Sequence, residues 1–394
     1  MAVELSYVIL TPYSLMKSRT GGIIARLLSR TDLELMAVRI LAPTAEFAEE
    51  YAASIKKTIS ERDEKAARLF SEYVKENFSP LENNKRERIM ILLFKGENAC
   101  EKLFSVAGHL PWVTHKESIT GETIRDTYAD LVLKRNGFVK YFEPAVMTPP
   151  NQKNALAKLQ MFADFADTHP NIVENIVTTH EGQQRTLVII KPDNWSHASS
   201  RPGNIIDMLS KTGLRIIACK LNRMSVEEAL EFYGPVQDVL RNKLAPVIGE
   251  KAKAILEKEL EVQLPNEVQE KLTQAVGFVF ADNKFNNIVE FMSGTKPNEC
   301  PENEKANPGK VKSMVLIYEG KDAIKKIRDV LGPTDPSKAP GGTVRADYGS
   351  NIMVNSAHAS DAPESVKREM KLVTIERNMF SKIIKEFLAE NQTG

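Results

Sequence analysis

The chain has 394 residues, more than most single hydrophobic cores accommodate, so at least two domains are expected. It carries 53 Lys and Arg against 52 Asp and Glu, a formal charge of +1, with 42% hydrophobic and 27% charged residues. That balance offers no general attraction for nucleic acid or a membrane surface, and no apolar run approaches the roughly 20 residues of a bilayer span.

The first predicted strand is Tyr7-Val8-Ile9-Leu10, followed by Thr11-Pro12, a polar loop, and Gly22 ahead of a helix-like segment. Met90-Ile91-Leu92-Leu93-Phe94-Lys95-Gly96 reads as a later strand, and Thr123-Ile124-Arg125 opens a further turn. From residue 187 the pattern starts again. Leu187-Val188-Ile189-Ile190 precedes Lys191-Pro192, a polar loop and Gly203; Ser29, Thr31, Leu33 and Ala37 recur as Ser210, Thr212, Leu214 and Ala218. Met314-Val315-Leu316-Ile317-Tyr318-Glu319-Gly320 and Thr343-Val344-Arg345 repeat the later landmarks.

Such a long internal repeat sets the fold. Each copy reads strand, helix, strand, helix, strand, helix and a final strand, which predicts an α/β sandwich with a largely antiparallel sheet. The expected division is 1–180 and 181–394, with the border near 170–183. The second copy is about forty residues longer, a tolerable loop-type insertion placed at about 234–283. There Val239, Leu240, Leu244, Val247, Ile248 and then Ala254, Ile255, Leu256 and Leu260 recur at helical spacing, interrupted at Pro265. The Pro/Asn/Glu-rich stretch 296–312 reads as an exposed loop, and a helical tail runs from about Asn378 to Asn391.

Six histidines are present, at 109, 115, 169, 180, 197 and 358, and a lone histidine is more often structural than catalytic. Only His358 has chemical company, in Asn355-Ser356-Ala357-His358-Ala359-Ser360-Asp361-Ala362, ahead of a helix opened by Pro363-Glu364-Ser365. Three dispersed cysteines, Cys100, Cys219 and Cys300, form no metal-binding pair and suit a reducing compartment. The N-terminus lacks the basic and apolar regions of a signal peptide, so a cytoplasmic location is expected.

Taken with Thr186-Leu187-Val188-Ile189-Ile190-Lys191-Pro192-Asp193, Val330-Leu331-Gly332-Pro333-Thr334-Asp335-Pro336 and Pro340-Gly341-Gly342-Thr343-Val344-Arg345-Ala346-Asp347-Tyr348, that stretch resembles the nucleoside diphosphate kinase family over residues 185–371. The resemblance implies two tandem ferredoxin-like βαββαβ domains with four-stranded antiparallel sheets, the first degenerate and the second catalytic. It implies ping-pong transfer of the γ-phosphate of a nucleoside triphosphate to a nucleoside diphosphate through a phosphohistidine. His358 would be the nucleophile, Glu369 would fix its tautomer, and Ser360 would support that carboxylate. Lys191, Arg328 and Arg345 would clamp the phosphates with help from Thr334; Asn355 would bind the ribose hydroxyl, and Tyr233 would help position Lys191. Phe285 and Ile288 would flank the base, and Mg2+ would be held mostly by nucleotide and water, with Asp361 its nearest carboxylate.

Several residues depart from the family pattern. The base-binding aromatic pair reads Lys284-Phe285, the loop after Asp193 is longer than usual, and Ala359 follows the histidine where glycine is common. In the first copy Thr11 stands for Lys191, Phe104 for Arg328 and Leu110 for Thr334; only Tyr51 and Arg125 survive. Its final stretch, Lys140-Tyr141-Phe142-Glu143-Pro144-Ala145-Val146-Met147, has no histidine. The first half is therefore expected to be silent and to pack with the second as a pseudo-dimer, and the chain to form a homo-oligomer. The alternative is a nucleotide-binding pseudoenzyme or scaffold of the same fold. Neither nucleic acid nor a membrane is expected as a partner.

Overall fold

The computed structural model describes residues 3–59, 63–81, 85–109, 121–136, 138–176 and 182–392. It divides into two compact units. One comprises Met1–Leu221, Met314–Lys367 and Thr374–Gly394; the other comprises Asn222–Ser313 and Arg368–Val373.

The first unit contains two sheets of the same design. Strands β1 (Val3–Leu10), β2 (Glu34–Leu41), β3 (Ile89–Glu97) and β4 (Val146–Met147) form a sheet in the order β2-β3-β1-β4. Strands β5 (Gln183–Ile190), β6 (Arg215–Asn222), β7 (Ser313–Lys321) and β8 (Ala357–Ala359) form the other, in the order β8-β5-β7-β6. Both place the first and third strands at the centre and the second and fourth at the edges, the ferredoxin-like topology. Helices α1 (Thr20–Arg30), α2 (Ala45–Ile59), α3 (Glu64–Phe78), α4 (Ala99–Ala107) and α5 (Gln152–Thr168) connect or cover the first sheet. Helix α6 (Arg201–Ser210) links the first two strands of the second sheet.

Strand periodicity distributes the apolar side chains between two layers. Val8 and Leu10 of β1, with Met90, Leu92 and Phe94 of β3, enter a core shared with Val188, Ile190, Leu316 and Tyr318 of the second sheet. The alternate residues Leu5, Tyr7 and Ile9, with Ile89, Ile91 and Leu93, face a second core lined by Phe47, Tyr51, Phe78 and Phe162. The two repeats are thus joined by a common hydrophobic interior.

Helices α1 and α6 cross where neither backbone carries a side chain. A Cβ added to Gly203 would lie 2.5 Å from the Gly21 carbonyl oxygen and 2.6 Å from Ala25 Cα. Both obstacles are backbone, so they cannot rotate away. Gly203→Leu is expected to destabilise the chain by about 3 kcal/mol or more, read as a lower urea midpoint.

The tail forms α11 (Phe380–Gln392), numbered after α7 (Val226–Leu260), α8 (Phe278–Ser293), α9 (Ala323–Leu331) and α10 (Pro363–Leu372). Its Phe380, Ile384 and Phe387 complete the second core, on the first repeat rather than on the one that precedes it in sequence. Just ahead of it, Asn378 Nδ2 donates to the Val38 carbonyl (3.1 Å) and the Cys219 carbonyl (3.2 Å), tying edge strand β2 to edge strand β6. Edge-strand polar groups are otherwise open to unwanted pairing.

The other unit is helical, as the spacing of its apolar residues predicts. A capping box of Ser225 and Glu228 starts α7, whose 35 residues include Pro235 and Pro246. Glu261 in a left-handed conformation ends it, and Pro265 caps the next helix, Asn266–Leu272. A π-helical turn, Thr273–Gly277, leads into α8. Arg241 grips Asp282 through two bonds of 2.7 Å, joining α7 to α8. The loop at 296–312 contains two short turns, and Lys310 N donates to the Ser293 carbonyl at 2.7 Å.

Candidate active site

Short pairing between β8 and β5 builds the site. His358 lies opposite Ile189, and Ala357 opposite Ile190, so the histidine stands beside the strand end that delivers Lys191. His358 is half-buried, whereas Ser360 is fully enclosed. Ser356, at φ 68°, turns the chain into β8; its carbonyl accepts from Lys191 N at 2.9 Å. A serine in the left-handed region is uncommon.

Lys191 is 8% exposed, and its Nζ donates to Asn355 Oδ1 at 2.7 Å and to the Met353 carbonyl at 3.2 Å. Burial lowers its pKa to about 8, with Arg345 adding to the shift and Asp193 opposing it. Asn355 in turn donates to the Thr334 carbonyl at 3.0 Å, bringing the Val330–Pro336 phrase to the same place. Arg345 is held by the carbonyls of Gly332 (2.8 Å) and Ala357 (3.1 Å); burial and nearby Arg328 push it down to about 10. Asp361 accepts from Ser365 Oγ at 2.6 Å, and that bond, with Arg328 and His358 close by, keeps its carboxyl below the usual range. The surface beside Arg328 and Asp361 opens into a cleft of about 400 Å3 that also includes Gln184 and Lys325.

Six predicted residues therefore converge in one unit: Lys191, Arg328, Arg345, Asn355, His358 and Asp361, with Thr334 joined through its backbone. Lys191 and Arg345, both depressed by burial, and Arg328 bring positive charge to this end of the sheet, opposed by Asp193 and Asp361. Asp193 and Arg201 also belong here and carried no role in the sequence reading. Asp193 lies 4.0 Å from Arg201 and accepts a long 3.5 Å bond from Ser356 Oγ, while burial raises its pKa. The Lys191-Pro192-Asp193 phrase was the available signal; the approach of Arg201 across the long loop was not readable.

Four further predicted residues lie in the helical unit. Glu369 is 4% exposed, with Arg368 3.4 Å away; Arg368 also donates to the Phe232 carbonyl at 3.2 Å. Burial, reinforced by Glu369, raises the Tyr233 hydroxyl's pKa. Ile288 is half-buried, and Phe285 is 2% exposed, so its ring face is covered in this structure.

The first sheet repeats the scaffold with other side chains. Ile9 pairs with Met147 as Ile189 pairs with His358, so Met147 occupies the register of His358. Ala145, at φ 61°, takes the place of Ser356. Arg125 donates to the Gly108 and Val146 carbonyls just as Arg345 does to those of Gly332 and Ala357. In the position of Lys191, Thr11 donates to Glu143 Oε1 at 2.8 Å, and Tyr73 donates to Oε2 at 2.6 Å. Burial raises the Glu143 carboxyl's pKa, and a buried acid there repels a phosphate. His109 stacks edge-on against Phe104, away from the strand; Leu110, His115, His180 and the border stretch 177–181 fall outside the described residues. Met147→His in a His358→Ala background is expected to leave less than about 1% of wild-type phosphotransfer, checked by label incorporation, because Arg125 is the counterpart of Arg345 but Thr11 and Phe104 stand in place of Lys191 and Arg328.

The fold is a ferredoxin-like domain, with lysine, arginine and histidine side chains gathered beside the β8–β5 pairing. The nucleoside diphosphate kinase family profile matches residues 184–241 and 303–387, both within the second repeat. The nucleoside diphosphate kinase of Burkholderia thailandensis is 30% identical over 200 residues, spanning 50% of this chain and 98% of that protein. That of Nitrosospira multiformis is 31% identical over 199 residues, again 50% and 98%. A solved structure, the Aquifex aeolicus nucleoside diphosphate kinase, is 27% identical and covers 48% of this chain and 94% of that one, with a TM-score of 0.29. The chain belongs to the nucleoside diphosphate kinase family and is an enzyme of that kind.

Proposed function

We propose that the second repeat transfers the γ-phosphate of a nucleoside triphosphate to a nucleoside diphosphate through a phosphohistidine on His358. The observation that carries this reading is the register that seats His358 beside Lys191, Arg345 and Asn355. A neutral imidazole nitrogen attacks the γ-phosphorus as the bond to the β–γ bridging oxygen breaks, and the diphosphate leaves with that electron pair. An incoming diphosphate oxygen then attacks the same phosphorus and displaces the imidazole. Lys191 and the two arginines hold the phosphate oxygens and oppose the charge that develops on them, which is most of what phosphoryl transfer requires.

Asn355 binds the ribose and, in the absence of nucleotide, parks the Lys191 ammonium. Glu369 carries the orienting role that the family resemblance gives it, with Tyr233, Ile288 and Phe285 assigned as above. Asp361 is the carboxylate beside Arg328 and His358, and a single acid fits a Mg2+ whose other ligands are phosphate oxygens and water. When bound, that ion neutralises phosphate charge. We further propose a homo-oligomeric, cytoplasmic protein; no helix among the described residues is long and apolar enough to cross a membrane, and Cys100, Cys219 and Cys300 are free.

The test is incubation of the full chain with γ-labelled ATP and Mg2+. Acid-labile label that added GDP discharges is the expected result. Nucleotide binding without label would instead favour the scaffold reading.

A further inference from the structure

A small cavity of about 20 Å3 lies at the seam of the two repeats, remote from the histidine cleft. Arg88, from just before β3, and Tyr318, on β7, both line it. Arg88 is 5% exposed and donates one guanidinium NH to the Ile216 carbonyl. Tyr318 is 2% exposed, and its hydroxyl has no hydrogen-bond partner among the described residues.

A third feature converges on the same space. Thr20 and Gly21, the first residues of the eleven-residue helix α1, line the cavity, and no side chain caps that end. A helix N-terminus presents free N–H groups and a partial positive charge. Ser18 and Ser210 add hydroxyls to the wall. Glu87, the acid next to Arg88 in sequence, interacts with both Arg88 and Arg215. Burial first, then Arg215, pushes Arg88 down to about 9.

We propose that this cavity binds one monovalent, monatomic anion of chloride size, held by the Arg88 guanidinium, the Tyr318 hydroxyl and the N-terminus of α1. A water molecule could partner the hydroxyl but would bring no negative charge to the buried Arg88 guanidinium. The space is large enough for a water-sized particle. Because one wall comes from each repeat, the anion bridges the two halves independently of nucleotide.

The experiment is thermal unfolding of the full chain at constant ionic strength while chloride replaces gluconate. An anion that binds only the folded chain raises Tm, here by about 2 °C once chloride exceeds its Kd roughly tenfold. Arg88→Met should abolish the chloride-specific rise and Tyr318→Phe should weaken it. Phosphotransfer by Tyr318→Phe should stay at the wild-type level. Crystals grown in bromide should show an anomalous peak between Arg88 and Tyr318. Equal Tm in both salts, or a bromide map with a water only, overturns the proposal. If Arg88→Met does not fold, Tyr318→Phe and the bromide map still decide it.

Discussion

Replacing His358 by alanine is expected to lower phosphate exchange at least about a thousandfold and to abolish the acid-labile label, with folding intact. The expectation is large because the proposed transfer passes through the His358 imidazole. Met147 holds the matching position in the first sheet and belongs to that repeat's apolar core. Full-chain protein is the proper material for this measurement. The first repeat by itself lacks Phe380, Ile384 and Phe387, which complete its core, so an inactive fragment of residues 1–180 would show only that it had not folded. Residual exchange above about 1% of wild type in His358→Ala would mean that another group carries the phosphate.

Lys191→Met should produce an opposite pairing of effects: activity about 100- to 1,000-fold lower, yet a protein at least about 1 kcal/mol more stable at pH 7. The lysine is buried beside Arg345 with its pKa lowered from 10.5 to about 8, so the fold disfavours its charged form. Between pH 8 and 10.5 the unfolded chain binds more protons at this residue than the folded chain does. Stability therefore rises with pH through that window as the folded lysine becomes neutral, and the penalty is full below pH 8. Lys158 is shifted in the same direction, so the informative quantity is the difference between wild type and Lys191→Met across pH. Catalysis runs the other way. The ammonium must be charged to hold phosphate, so kcat/KM should fall as pH rises through about 8 and the variant should lose that limb. Urea midpoints and pH–rate profiles measure the two halves of this expectation; a variant less stable than wild type at pH 7 and equally stable at pH 10 would refute it.

Local, contiguous signals were legible without a structure. The repeat, the position of the helical insertion, the chain break at Pro265 and the histidine stretch all depend on neighbours in sequence, where spacing and residue type express backbone preference directly. The seven residues Lys191, Arg328, Thr334, Arg345, Asn355, His358 and Asp361 were named through the family resemblance, and all but Arg328 sit in the short phrases that carry it. The open stacking face expected of Phe285 was a different matter: its 2% exposure is set by what packs over it, which a residue's own identity does not report.

What the tertiary structure alone decided are the non-local pairings. Strand register places Met147 where His358 stands, although the two stretches differ too much in sequence to align by eye. Thr11 meets Glu143 across 132 residues, turning an absent lysine into a buried acidic cluster. The tail helix packs on the first repeat, and Gly21 and Gly203 meet at a helix crossing. Hydrophobic periodicity says which face of an element is buried and is silent about the partner, because burial is non-directional and roughly proportional to area. Sequence by itself pointed to the two repeats and to the histidine stretch of the second; only packing, hydrogen-bond register and backbone approach determined how the repeats share one interior and which side chains stand at the matching positions of the first.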